Sequence, residues 1–426
     1  MSWMQRSIKP GRARLFIGAL ALAIHSTYSF ASGLTLEAAE ALALAEDPGV
    51  RKIEASRQAL DELSVAAEQW PDPMVKMGLM SLPADSFELG QEAMTQVQLG
   101  VVQKFPRGKS RELRSGQIGL KSEGLTAVAR DQELQIARSV REQFIEVLKQ
   151  QRLARINAEA IEAFSEVADI TRDYYGTGRV QQQDVLQAAV ELAKVEDRAT
   201  RIAQDEEQAR TRLATWVGEA AFGELDGDWP QLAAETNPIN LKEQLLNHPR
   251  VLALQKNVAA ADAGVELARQ RYKPEFGVDL TYGGRSGNNP DGSSRTDLLS
   301  LMVVMDVPLF TKNRQDRVVA AQVAESSAAQ FARDDVLRRM RSEIDFHLAT
   351  QQRQQERIRL FEETLLPQAE FSSEASMNAY QSSIADLTTL LRTRITEFDL
   401  QLEYARLRAE ILKTQARLRY LEGAES

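Results

Sequence analysis

The chain states one arrangement twice, about 200 residues apart. Pro48 recurs as Pro249 and Pro73 as Pro274, both 201 positions later. Pro106 recurs as Pro308 after 202 positions, and Tyr175 as Tyr380 after 205. Each copy reads as a short helix, a proline, a helix, two alternating strands, a very long helix and a shorter one. A repeat of this size is a duplicated structural unit, since solenoid modules run to roughly 20–50 residues. The expected organisation is a first repeat over 32–217, a linker over 218–238 and a second repeat over 239–426. The linker reading rests on its glycines, Trp229-Pro230 and Pro238.

Residues 1–31 read as a signal peptide. Arg6, Lys9, Arg12 and Arg14 form a basic start with no acid among them, followed by an apolar run from Leu15 to Ile24. That run is too short to span a bilayer. Ser29-Phe30-Ala31 offers small residues for cleavage after Ala31. Losing those four positive charges takes the net charge from −9 to −13. Such acidity argues against nucleic acid or anionic lipid as the main partner. There is no cysteine, which excludes disulfides, thiolate metal sites and a lipidated N-terminal cysteine, and suits an exported chain.

The strands alternate with period two. Phe276, Val278, Leu280 and Tyr282 fall on one face, and Gly277, Asp279, Thr281 and Gly283 on the other. Thr95 to Val101 alternates likewise, while Met74 to Met80 and Leu298 to Phe310 are more apolar. An apolar outer and a polar inner face suit a transmembrane β-barrel, in which a strand needs roughly 9–11 residues. The same alternation suits a half-buried antiparallel sheet in a water-soluble domain. The connections 81–94 and 284–297 have the length of outer barrel loops, and aromatics at Phe87, Phe105, Tyr272, Tyr282 and Phe310 lie near strand ends. Four strands cannot close a useful barrel, and open edges are not tolerated in lipid, so a barrel requires several chains.

The helices are too long for a globule. No glycine or proline falls between Gly124 and Tyr175, and the helical pattern starts near Ser110. At about 1.5 Å per residue this is a rod of roughly 95 Å. The second copy runs from about Arg314 to Tyr380, where Pro367 should kink it or remove a hydrogen bond. Partners return over Gln182–Trp216 and Ile384–Leu421, giving antiparallel coiled-coil hairpins. Shorter helices are expected over Leu36–Trp70 and Leu241–Tyr272. A coiled-coil scaffold without a membrane role fits these helices taken alone.

No catalytic or cofactor-binding constellation appears. After cleavage only His248 and His347 remain as histidines, and no phosphate-binding glycine loop occurs. The chain therefore reads as a non-enzyme without cofactor or dedicated metal site.

Several motifs, in order and doubled, resemble the TolC family of outer-membrane efflux ducts over essentially the whole mature chain. Gln103-Lys104-Phe105-Pro106-Arg107-Gly108-Lys109-Ser110-Arg111 resembles the family's passage from strand to long helix, and Val307-Pro308-Leu309-Phe310 its counterpart. Tyr175-Gly176-Thr177-Gly178-Arg179, followed by Asp184 to Ala188, resembles the hairpin tip, and Leu366-Pro367-Gln368-Ala369-Glu370 with Ala379-Tyr380 the second long helix. The resemblance implies a mainly α homotrimer in the cell outer membrane. Its strands would build a twelve-stranded barrel in lipid, and its hairpins a periplasmic α-barrel. It would meet a periplasmic adaptor (membrane fusion) protein and an inner-membrane pump, in one form a resistance-nodulation-division pump, and conduct substrate passively. The segment Gln103 to Lys109, the compact loops and the cysteine-free start resemble the heavy-metal cation branch; drug efflux and type I secretion are alternatives within the family. A periplasmic adaptor or scaffold is the alternative of another class.

The hairpin tips are the expected functional positions. Gly176 and Gly178 suit the positive φ of a tight helix-to-helix turn. Tyr175 and Tyr380 correspond between copies, as packing residues or as adaptor contacts. Arg179 is expected to pair with a neighbouring helix or the adaptor. The family narrows its entrance with acidic residues after the second tip, and this chain departs from that, with Thr389 and Arg392 opposite Asp184 and Gln187. Asp184 and Asp386 remain candidate pore acids, and Arg392 a candidate gate partner for them.

Overall fold

The computed structural model describes residues 33–45, 47–232 and 236–423. The signal-peptide reading of residues 1–31 lies outside the described residues.

Two helices come first among the described residues, α1 (Leu36–Ala45) and α2 (Pro48–Glu68). The helical span expected from Leu36 to Trp70 holds Pro48 within it. It breaks because a residue before proline is driven into extended backbone, and Asp47 sits at ψ 121°. Asp47 then caps α2, accepting a hydrogen bond from the Val50 amide at 2.9 Å. The second copy repeats the device. After α5 (Pro238–Gln244), His248 precedes Pro249 and caps α6 (Pro249–Arg269), its Nδ1 accepting from the Arg250 amide at 3.2 Å. The expected helix Leu241–Tyr272 is thus divided for the same reason.

Each of these helices feeds a strand pair: β1 (Met74–Met80) and β2 (Gln96–Phe105), then β3 (Glu275–Gly284) and β4 (Leu298–Asp306). β4 stops at Asp306 and does not reach Phe310, because Pro308 has no amide to donate to a ladder. The four strands form one antiparallel sheet in chain order, β1-β2-β3-β4. The β2–β3 pairing joins the two copies, with Phe105 opposite Phe276 and Leu99 opposite Tyr282.

From β2 the chain passes into α3 (Ser110–Gly176), 67 residues long, and returns through α4 (Gln182–Val217). From β4 it passes into α7 (Gln315–Leu360), a π-helical turn over Phe361–Leu365, and α8 (Leu366–Gln381), returning through α9 (Leu387–Glu422). The wider π turn lies just ahead of Pro367 and absorbs the missing donor, so the rod is interrupted and not ended.

α3 is the spine: it packs on α1, α2, α4, α6 and α9. The apolar core is correspondingly strung out in separate clusters. One near the tips gathers Phe164, Val167, Val195, Met377, Leu390 and Phe398, and another near the sheet end gathers Leu134, Leu241, Val251, Met340, Ile344 and Leu418. A third surrounds Phe144, Leu213 and Leu412 and includes Leu225 and Leu232 of the segment between the copies. That segment is held by a parallel bridge from Leu34 to Leu225. No helix among the described residues is long and apolar enough to cross a membrane.

Candidate functional site

The sheet has two chemically different faces. Register places Met77, Leu99, Tyr282 and Leu299 in one row and Val75, Val101, Leu280 and Leu301 in the next. All eight side chains are exposed, from 47% for Val101 to 81% for Met77. An apolar face of this size on a single chain marks a surface meant for lipid or protein. The opposite face carries polar groups at its centre, on β2, β3 and Lys76 of β1, flanked by Met74, Met80, Met302 and Val304 on the outer strands. Lys76 and Asp279 form an ion pair across it, and Asp279 accepts a hydrogen bond from the Thr281 hydroxyl at 2.6 Å. Gly100 lies beneath that pair: a Cβ there would meet Thr281 Oγ1 at 2.5 Å and Lys76 Cε at 2.9 Å. Gln96 lies over Gly283 in the same way. Reading each strand separately missed this arrangement. The signal was present as one lysine and one acid at inward positions of strands from different copies.

At the far end of the sheet, Arg107 ties the copies together. Its guanidinium pairs with Asp306, approaches Glu275 at 3.6 Å and donates to the Arg271 and Lys273 carbonyls at 3.1 and 3.3 Å. The adjacent Gly108 holds φ 45°, and a side chain there would strike Lys273 and Gln270. The two loops at the other end are also joined across the copies. Arg295 donates to the Glu92 carbonyl at 2.8 Å, and Arg285 to that of Ala93 at 3.3 Å.

The hairpin tips share one turn geometry. The Thr177, Gly178 and Arg179 amides donate to the carbonyls of Asp173, Tyr175 and Tyr174 at 3.1, 3.0 and 2.8 Å. Ser382, Ser383 and Ile384 repeat these bonds onto Asn378, Tyr380 and Ala379 at 3.1, 3.0 and 2.8 Å. Gly178 takes the left-handed position at φ 71°. Gly176 does not: it is the last residue of α3, which corrects the expectation that both glycines serve the turn.

Tyr175 and Tyr380 occupy corresponding places but different surroundings. Tyr175 is 48% exposed and Tyr380 only 4%. Tyr380 lies between the hairpins, its hydroxyl 3.2 Å from Thr171 Oγ1 and its ring 5.7 Å from that of Tyr174. Burial pushes its hydroxyl pKa up. Arg179 stays within its own tip, with its guanidinium carbon 5.3 Å from the Tyr174 ring centre. Asp184 completes a capping box by accepting from the Gln181 amide at 2.9 Å. Asp386 caps α9, accepting from the Thr389 amide at 2.7 Å. The bonds from Thr389 hold the Asp386 carboxyl below its usual range, and the exposed Arg392 adds attraction. Both acids therefore serve first as helix caps.

Between tips and sheet lie buried polar pairs that join distant segments. Arg141 and Glu40 form a two-pronged ion pair at 2.6 and 2.8 Å. Glu146 receives Lys149 and Lys413, each at 2.6 Å; burial opposes its charge, but these bonds win and hold it at about 2. Tyr420 donates to Asp131 at 2.8 Å and its hydroxyl is pushed up to about 12 by burial and that acid. Its carbonyl lies 2.9 Å from His248 Nε2, and burial keeps His248 toward the neutral form. No group of three or more metal-ligating side chains occurs among the described residues.

Comparison with known proteins places this geometry. Residues 240–424 match the family model described as outer membrane efflux protein. The cobalt-zinc-cadmium resistance protein CzcC of Cupriavidus metallidurans is 23% identical over 273 residues, which is 63% of each chain. The matched part thus spans less than two thirds of that relative's length. The outer membrane protein VceC of Vibrio cholerae superposes at TM-score 0.75 with 16% identity, covering 91% of this chain and 96% of that one. CusC, a transmembrane channel, gives TM-score 0.78 at 14% identity, with 92% of both chains covered. Residues 240–424 are thus similar to the outer membrane efflux protein family, and the fold of the chain, over more than nine tenths of its length, is that of solved outer-membrane channels.

Proposed function

We propose that this protein is the outer-membrane exit duct of a tripartite efflux system. The carrying observation is the sheet: one face is apolar and exposed, its edges β1 and β4 have no further strand beside them among the described residues, and it runs straight into rods of about 100 Å. An open edge in lipid leaves backbone groups unsatisfied at several kcal/mol each, so the edges must close on other chains. Three copies would place twelve strands in one barrel and continue it as a helical tunnel through the periplasm. The two copies within each chain, 32–217 and 239–426 about the segment 218–238, act as two similar staves of that wall. Transport through such a duct is passive, so the energy comes from an inner-membrane pump reached through a periplasmic adaptor.

The tips are the adaptor end in this reading. Tyr175 and Gly176 at the end of α3, with Gly178 and Arg179 of the turn, form the first docking tip, and Tyr380, Asp386 and Arg392 belong to the second, with Asp184 beside the first. Exposed Ile384, at 83%, adds an apolar contact that sequence reasoning did not single out. Divalent heavy-metal cations are the proposed cargo, supported by the name of the Cupriavidus relative and by the polar inner face around Lys76 and Asp279.

The test is the native mass of the envelope-extracted protein with and without detergent. A detergent-dependent trimer is expected. A monomer that stays in solution without detergent would assign the strands to a water-soluble sheet and the chain to a coiled-coil scaffold.

A further inference from the structure

Where α3 leaves the sheet, a cavity of about 810 Å³ opens between the end of α2, the start of α3, the end of α6 and the start of α7. Arg107, Arg111, Arg114 and Arg271 line it, against only two acids, Asp72 and Glu275. Glu275 is already engaged by Arg107. A second cavity of about 410 Å³ shares Arg107 and Arg271 and adds Arg314. Arg114, Arg271 and Arg314 are exposed, and no acidic side chain among the described residues pairs with them. Five guanidinium groups thus converge in a chain whose net charge is −9. Like charges that outnumber their counter-charges cost free energy, so the arrangement calls for an anion.

The position of the mouth identifies the anion's carrier. Trp70 lines the cavity and packs edge-on against Phe105 at 5.5 Å. Phe105 is paired with the exposed Phe276 at the end of the apolar face. Arg111 lies over the same Trp70 ring at 3.6 Å. Apolar belt, tryptophan and arginines follow one another in that order, which is the order of acyl chain, interface and headgroup phosphate in a bilayer.

We propose that this cavity is a binding site for the phosphate of an anionic phospholipid in the leaflet nearest the long helices. The proposal rests on the outer-membrane reading above. Arginine forks suit phosphate oxygens, and the volume suits a lipid headgroup. Arg107, tied to Glu275 and Asp306, is the fixed wall of the site, while Arg114, Arg271 and Arg314 supply free donors.

The test is native mass spectrometry of the full-length protein in detergent, offered phosphatidylglycerol, phosphatidylethanolamine or inorganic phosphate. The wild type should retain phosphatidylglycerol over phosphatidylethanolamine, and R114Q/R271Q/R314Q should lose this retention by about ten-fold or more. The matching triple lysine variant should keep most of it. Equal retention of the two lipids by the wild type, unchanged retention in the glutamine variant, or displacement of lipid by inorganic phosphate would each overturn the proposal. The wild-type comparison needs no variant to fold. A detergent-dependent trimer without lipid preference sinks this site alone, whereas a detergent-free monomer sinks the duct reading beneath it.

Discussion

Gly178 and Ser383 occupy the same place in two turns 205 residues apart, at φ 71° and 60°, with the same three backbone hydrogen bonds around each. Only the first copy uses the residue that adopts this conformation without steric cost. An L side chain in the left-handed region costs roughly 1–2 kcal/mol, partly offset by the greater freedom glycine has when unfolded. Ser383→Gly should therefore stabilise the second hairpin by about 0.5–1 kcal/mol, and Gly178→Ala should destabilise the first by about 1 kcal/mol. Thermal unfolding followed by far-UV circular dichroism reads both. Equal and opposite signs from those stated would show that the two turns are not under the same constraint.

Gly100 leaves room for the Lys76–Asp279 pair on the face opposite the apolar one. Gly100→Val would drive its side chain into Thr281 and toward the Leu280 carbonyl, 3.0 Å from a Cβ at this position; the flexible Lys76 can give way, but the backbone carbonyl cannot. The expected result is loss of assembled, detergent-extracted trimer while the helical content of the chain persists. Wild-type amounts of trimer from this variant would mean that the β2–β3 register is not the one seen.

Glu146, held at about 2 between Lys149 and Lys413, links α3 to α9. Its charged form is favoured on folding, so its contribution is complete above the ordinary carboxylate value of 4.5 and disappears as the pH falls toward about 2. The wild type should lose on the order of 2–3 kcal/mol across that window from this group. Glu146→Gln should carry that loss already at neutral pH and show a flatter acid limb. Unfolding temperatures measured at several pH values would separate the two curves, and parallel curves would exclude this role.

Asp386 has two separable properties, its cap on α9 and its charge beside Arg392. Asp386→Asn keeps an oxygen for the Thr389 amide and removes the charge; Asp386→Ala removes both. If charge at the tip gates the entrance, Asp386→Asn and Arg392→Ala should both raise single-channel conductance in planar bilayers. If the cap alone matters, only Asp386→Ala should change the protein, and it should do so by lowering the unfolding temperature. Identical conductance in all three variants would remove these residues from any gating role.

Much of the fold was legible because its signals are local. Period-two alternation in Phe276 to Tyr282 and the absence of breakers from α3 each involve neighbours a few residues apart. The prolines at 48 and 249 marked helix starts for the same reason. The sequence by itself determined the duplicated order of elements, the length of the rods and the apolar stripe of each strand. Only the tertiary structure decided which stripes align. It set Lys76 against Asp279 over Gly100, 203 residues away, and Tyr420 against Asp131, 289 residues away. It also buried Tyr380 while leaving Tyr175 in the open, although both stand at the same step of the same turn. Those pairings depend on sheet register and helix packing, which no local period encodes: sliding a strand by one residue exchanges its two faces and would put Lys76 on the apolar side.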